Sequence, residues 1–144
     1  MDVVGKKIVR VVAAVVEDEG HYLITQRRES AVLPLLWEFP GGRVEPGEED
    51  EAALLRELSE RLGAEGKIIR KIGEKIHEYD CYRVALALYE AKIVNAHDLH
   101  AKRVKDFRWV TSSEFDQYPF PDADQLTMDR LLGFSREVVQ TEPR

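Results

Sequence analysis

Apolar residues in this chain fall into runs with two different periods. Ile8 to Val16 is rich in β-branched residues and predicts a strand buried on both faces. Glu17-Asp18-Glu19-Gly20 reads as a turn. His21 to Arg28 then alternates, and it is expected to return as the hairpin partner of the first strand. Glu29 to Leu36, with Pro34, is a loop, and Trp37 to Phe39 is short and extended because Pro40 disfavours helix at the residue before it. After a tight loop bracketed by Gly41-Gly42 and Pro46-Gly47, the period lengthens. Glu48 to Leu62 predicts a helix with Leu54, Leu55, Leu58 and Leu62 on one stripe, acids crowding its first turn and Gly63 as its stop.

Two more strands, Gly66 to His77 and Tyr82 to Val94, are expected around a turn at Tyr79-Asp80, and another at Val104 to Val110. Thr111-Ser112-Ser113-Glu114 is a capping signal for a short helix. Beyond Pro119 and Pro121, Asp122 to Val139 predicts a closing amphipathic helix. Mixed strands with one helix in the middle and one at the end point to an α+β or α/β sandwich. Residues 1–140 are expected to form a single domain and 141–144 a loose tail.

Composition adds constraints on partners. The 144 residues are 44% hydrophobic and 33% charged, an ordinary globular balance. A net charge of -6 offers no general field for a nucleic-acid backbone, so nucleic acid is not the expected partner. An acidic protein that handles phosphate needs a local device, a metal ion or a few placed arginines. Cys81 is the single cysteine, which excludes an intrachain disulfide and fits a reducing cytoplasm. The apolar run Val11 to Val16 is too short to span a bilayer, so no membrane is expected. His97 and His100 alone do not make a zinc site.

The candidate chemistry sits between Gly42 and Ala64. Gly42 is followed by five residues and Glu48, then by seven residues and Arg56-Glu57-Leu58-Ser59-Glu60-Arg61-Leu62-Gly63-Ala64. On a helix, Glu57 and Glu60 lie about 60° apart and one turn along the axis. The leucines can then dock inward while both carboxylates line the rim of a groove. Two carboxylates so spaced, with a Gly42 carbonyl brought near by the glycine loop, suit a hard cation such as Mg²⁺. Glu48 is a further ligand or, through Arg56, an orienter.

This spacing resembles the Nudix box, whose pattern is Gly, five residues, Glu, seven residues, Arg-Glu, an aliphatic, any residue, Glu-Glu, any residue, Gly and an aliphatic. The resemblance implies a Nudix fold, with a mixed β-sheet between helices, and a site built from Gly42, Glu48, Arg56, Glu57 and Glu60. It also implies Mg²⁺ as cofactor, with Mn²⁺ able to substitute. Gln26-Arg27-Arg28 and Leu36-Trp37-Glu38-Phe39-Pro40-Gly41-Gly42 are similar to the MutT-type branch, which removes pyrophosphate from nucleoside triphosphates, including oxidised or modified ones. By that likeness Arg27, Gly41 and Asp124 bind substrate; Phe39, Tyr79 and Tyr82, as aromatic side chains, are candidates to stack on a base. Asp124 stands where the branch places an asparagine against the base, and a carboxylate there accepts from an exocyclic amine such as that of cytosine. A monomer or homodimer is expected.

Two positions depart from the family. Arg61 stands where a glutamate usually ligates metal, and it can pair with Glu57 four residues earlier. At about 5 Å and an effective dielectric of about 20, its repulsion of a divalent ion is on the order of 6 kcal/mol before relaxation. Arg103 stands six residues before Trp109, where MutT-type members often carry a further glutamate. Three outcomes follow: both arginines turn to solvent and Glu57 and Glu60 hold one metal, the arginines grip phosphate themselves, or Glu48 or Glu51 rotates in. A catalytically weakened nucleotide-binding protein is the alternative to an enzyme. A nucleic-acid module using Lys102, Arg103, Lys105 and Arg108 is a more distant one.

Overall fold

The computed structural model describes residues 7–31 and 33–121. β1 (Lys7–Val15) lies between β5 (Gly41–Arg43), antiparallel to it, and β7 (Tyr82–Ile93), parallel to it; β6 (Gly66–Glu78) forms an antiparallel hairpin with β7 and closes that edge. Both hydrogen-bonding edges of β1 are therefore taken. The expected hairpin between the first strand and His21–Gln26 does not form. The chain instead changes sheets at Val16, and β3 (His21–Gln26) pairs antiparallel with β2 (Glu17–Asp18), β4 (Trp37–Glu38) and β8 (Asp106–Val110) in a second sheet.

The apolar run of β1 serves two cores at once. Val12, Ala14 and Val16 face one cluster with Leu54, Leu58 and Leu62, while Ala13 and Val15 face another with Trp37, Phe39 and Phe115. β7 does the same, with Ala87, Tyr89 and Ala91 to one side and Leu86 and Leu88 to the other. Burial on both faces holds only from Val12 onward; the first half of the strand is largely exposed, with Ile8 at 57%.

α1 (Asp50–Leu62) packs its Ala53, Leu54, Leu58 and Leu62 against this mixed sheet, and each fully buried leucine contributes roughly 1.5–3 kcal/mol. Leu55, expected on the same stripe, is 38% exposed. The helix begins two residues later than expected because Glu49 is an extended N-cap and Glu48 belongs to the preceding loop. Its first turn is tied to the sheet through Asp50, which accepts from Arg10 of β1 and from the Tyr89 hydroxyl of β7. It ends at Gly63, left-handed at φ 66°, whose amide and that of Ala64 return to the carbonyls of Ser59 and Leu58. The signal at Thr111 starts a 3₁₀ segment (Ser112–Gln117), where the Glu114 carboxylate accepts the Thr111 amide at 2.8 Å. The fold is thus α+β with a mixed sheet. The closing helix expected over Asp122 to Val139, the 141–144 tail and Asp124 lie outside the described residues. Among the described residues no helix is long and apolar enough to cross a membrane.

Candidate functional site

Two glycines let β5 approach both its neighbours. A Cβ on Gly41 would stand 2.0 Å from the Val12 carbonyl oxygen, and a Cβ on Gly42 would stand 2.3 Å from the carboxyl carbon of Glu57. The Glu57 carboxylate thus occupies the space that any side chain at position 42 would need. This fixes the polar edge of α1 against the glycine loop.

Arg56 organises that edge. Its Nε and Nη2 donate to the two oxygens of Glu48 at 2.6 and 2.8 Å, Nη2 also donates to the Arg43 carbonyl at 3.0 Å, and Nη1 donates to Glu57 at 3.2 Å and Glu60 at 3.3 Å. The second oxygen of the Glu48 pair also accepts the Glu45 amide at 3.0 Å. The Arg56 hydrogen bond, with that amide behind it, pulls the Glu48 carboxyl down to about 2. The same contact holds the Arg56 guanidinium above its ordinary value. Glu48 therefore braces the loop onto the helix, and Glu51 is exposed.

The two departing arginines each close on a box carboxylate. Arg61 Nε donates to Glu57 Oε1 at 2.6 Å, and Arg103 Nη1 donates to Glu60 Oε1 at 3.0 Å. Arg103 arrives there because the loop after β7 caps α1. The amides of Lys102 and Arg103 donate to the Arg61 carbonyl, that of His100 to the Leu62 carbonyl, and the Asn95 side chain to the Gly63 carbonyl. Neither arginine turns to solvent alone. Lys105 and Arg108 also carry carboxylate partners, Glu29 and Asp106, so these cations do not make an uncompensated basic patch.

Beside the glycine loop opens a cavity of about 430 Å³. Lys7, Arg27, Arg43 and Arg61 supply positive charge to its lining, and Tyr79 and Tyr82 supply aromatic surface. Those two rings stack on each other, 5.1 Å between centroids and 24° apart in plane. Gly41, Gly42, Phe39 and Glu38 complete the wall near the box. Phe39 is 2% exposed and its ring is engaged with Phe115 and Phe120, so it anchors the wall from within the core. The lining of this cavity includes Arg61 but neither Glu57 nor Glu60. Glu57 is buried behind Gly42 and Arg61, and Glu60 faces Arg103.

Sequence reasoning missed Glu38 as a site residue. It pairs with Arg27 at 2.8 Å on the cavity wall. Burial raises its carboxyl above the ordinary range, Arg27 and Arg61 oppose the shift, and the neighbouring Glu57 reinforces it. The signal was a lone acid between Trp37 and Phe39, in a segment that is otherwise core.

Among the described residues no three acidic, histidine or cysteine side chains converge on one point as metal ligands. The donor chemistry nevertheless fits a hard divalent cation. The Glu57 carboxylate nests directly over Gly42, and Glu60 lies one turn away sharing Arg56 with it, which gives oxygen donors on a rigid frame. What occupies the carboxylates in this arrangement is guanidinium.

A NUDIX domain model matches residues 11–130. The CTP pyrophosphohydrolase of Escherichia coli is 34% identical over 128 residues, covering 88% of this chain and 93% of that protein. The 8-oxo-dGTP diphosphatase of Haemophilus influenzae is 32% identical over 131 residues, covering 89% and 94%. The solution structure of the E. coli ORF135 protein superposes with a TM-score of 0.76 at 30% identity, covering 92% of this chain and 94% of that one.

Proposed function

The chain belongs to the NUDIX domain family as a MutT-type hydrolase, and from that footing we propose that it cleaves a nucleoside triphosphate, whether canonical, oxidised or otherwise modified, to the monophosphate and pyrophosphate. In the net reaction a water oxygen bonds to phosphorus, one bridging phosphorus–oxygen bond breaks, and pyrophosphate leaves. The observation that carries this reading is a glycine-nested box carboxylate next to a cavity whose lining carries both cationic and aromatic side chains. Lys7, Arg27 and Arg43 suit the polyphosphate, since guanidinium and ammonium match phosphate charge and Arg its geometry. Tyr79 and Tyr82 suit a base. Glu38 fixes the reach of Arg27, while Glu48 and Arg56 act as positioning residues for Glu57 and Glu60.

Mg²⁺, or Mn²⁺ in its place, is the cofactor this reading assigns, held by the Gly42 carbonyl, Glu57 and Glu60. When bound it supplies neutralising charge for the phosphates and Lewis-acid assistance to attack. Residues 1–140 are read as one functional unit, monomeric or homodimeric, working in the cytoplasm. The base remains a separate assignment. The relatives carry names that point to a pyrimidine and to an oxidised purine, and a modified cytidine triphosphate is the reading Asp124 favours by its acceptor-only chemistry.

A second reading, a nucleotide-binding domain with weakened turnover, is favoured by the Arg61–Glu57 and Arg103–Glu60 pairs. One screen separates them. Canonical and modified nucleoside triphosphates are incubated with Mg²⁺ or Mn²⁺ and pyrophosphate release is scored. Metal-dependent release from at least one triphosphate is expected. Binding of a triphosphate without release supports the second reading, and neither binding nor release sinks both.

A further inference from the structure

Arg61 stands between the carboxylate that a metal needs and the cavity that a polyphosphate needs. We infer that it is an exchangeable counter-ion: in the ligand-free protein it neutralises Glu57, and it yields that carboxylate to a divalent cation and turns to the polyphosphate. The inference rests on the proposed triphosphate chemistry and adds a control to the same site.

Three observations carry it. Arg61 Nε holds Glu57 Oε1 at 2.6 Å, the position from which a cation must be displaced before another can use that oxygen. Arg61, and not Glu57, forms the cavity wall, so the guanidinium already borders the space where phosphate charge would enter. The two partners also differ in freedom. The Glu57 side chain is 9% exposed and wedged over Gly42, whereas that of Arg61 is 31% exposed, so the arginine is the end that can leave. Leaving without a replacement would reduce the buried Glu57 carboxylate to its longer, 3.2 Å contact with Arg56, with Oε1 stripped of its 2.6 Å partner, which is costly. Displacement is therefore tied to arrival of another cation, and the freed guanidinium is drawn to the incoming anion. Arg56 remains on Glu57 through the exchange and keeps the carboxylate in place.

The test uses the full chain without nucleotide, titrated with Mn²⁺ and followed by the paramagnetic resonance signal of the free ion. Arg61→Gln removes the competing charge, and changes around metal ligands typically move affinity by about 10–100-fold. Arg61→Gln is expected to bind Mn²⁺ tighter by about that factor, and Arg61→Lys, which keeps the charge, by much less. With Mg²⁺ present, a non-hydrolysable triphosphate analogue is expected to bind Arg61→Gln more weakly than wild type. Thermal unfolding and circular dichroism establish that the variants are folded. Equal or weaker Mn²⁺ binding by Arg61→Gln, with wild type binding normally, overturns the exchange alone. Undiminished analogue binding overturns the turn to phosphate. Failure of both proteins to bind Mn²⁺ overturns the exchange together with the metal-dependent hydrolase reading.

Discussion

Replacing Gly42 by alanine tests the core of the site in a way that activity alone would not. The new Cβ would lie 2.3 Å from the Glu57 carboxyl carbon. Ordinary carbon contacts are near 3.5 Å, so the carboxylate has to retreat by about 1 Å. That retreat breaks the 2.6 Å contact to Arg61 and the 3.2 Å contact to Arg56. Hydrogen bonds between charged groups contribute about 1.5–3 kcal/mol each when well formed, and partial exposure of both arginines lowers this to roughly 1–2 kcal/mol. The expected loss is therefore about 2–4 kcal/mol, or a fall in Tm of roughly 5–15 °C for a chain of this size. Thermal unfolding followed by circular dichroism measures it. In a Glu57→Ala background the obstructing carboxylate is gone, and the added cost of Gly42→Ala should drop below about 1 kcal/mol, the coupling expected of residues in contact. Gly41→Ala is the contrasting case, because the atom met at 2.0 Å is the backbone oxygen of Val12, which cannot swing aside. A wild-type Tm for Gly42→Ala, or an equal cost with and without Glu57, would refute the claim that the glycine exists to admit that carboxylate.

Two further changes probe the frame and its charge. Leu58→Ala removes a side chain 1% exposed at the centre of the α1 core, and denaturant unfolding should show a loss of about 2–5 kcal/mol with unchanged m-value. Glu48 titrates at about 2 in the folded chain instead of its ordinary 4.5, so the folded state holds it deprotonated more strongly than the unfolded state does. Its contribution is complete above 4.5 and is lost as pH falls toward 2. Stability measured across that window should fall less steeply in Glu48→Gln than in wild type, and parallel slopes would show that the Arg56 contact does not bias folding.

How far the sequence could be read depended on the range of the interaction involved. α1 was legible because its leucine period, its Gly63 stop and the box spacing all lie within one short segment, and so was the β6–β7 hairpin around Tyr79-Asp80. The partner of β1 was not. Periodicity reports which faces are buried, not which strand lies alongside, and the parallel neighbour β7 begins at Tyr82, far down the chain. A strand feeding two cores also shows no alternation that would betray its edges. Glu38 was read only as part of a motif, because its burial arises where the cavity wall meets the second sheet. The same distinction governs the two departing arginines. The Arg61–Glu57 pair follows from i,i+4 spacing and could be foreseen. The Arg103–Glu60 pair spans 43 residues and depends on backbone amides of the capping loop finding the last carbonyls of α1. Read one position at a time, two acids exchanged for bases look like damage to a metal site. Placed in space, each base meets a carboxylate, so Glu57 and Glu60 are paired before any ligand arrives. A buried carboxylate left alone would be far more costly than either pair. The folded chain thus holds its box carboxylates in position by supplying its own cations to them.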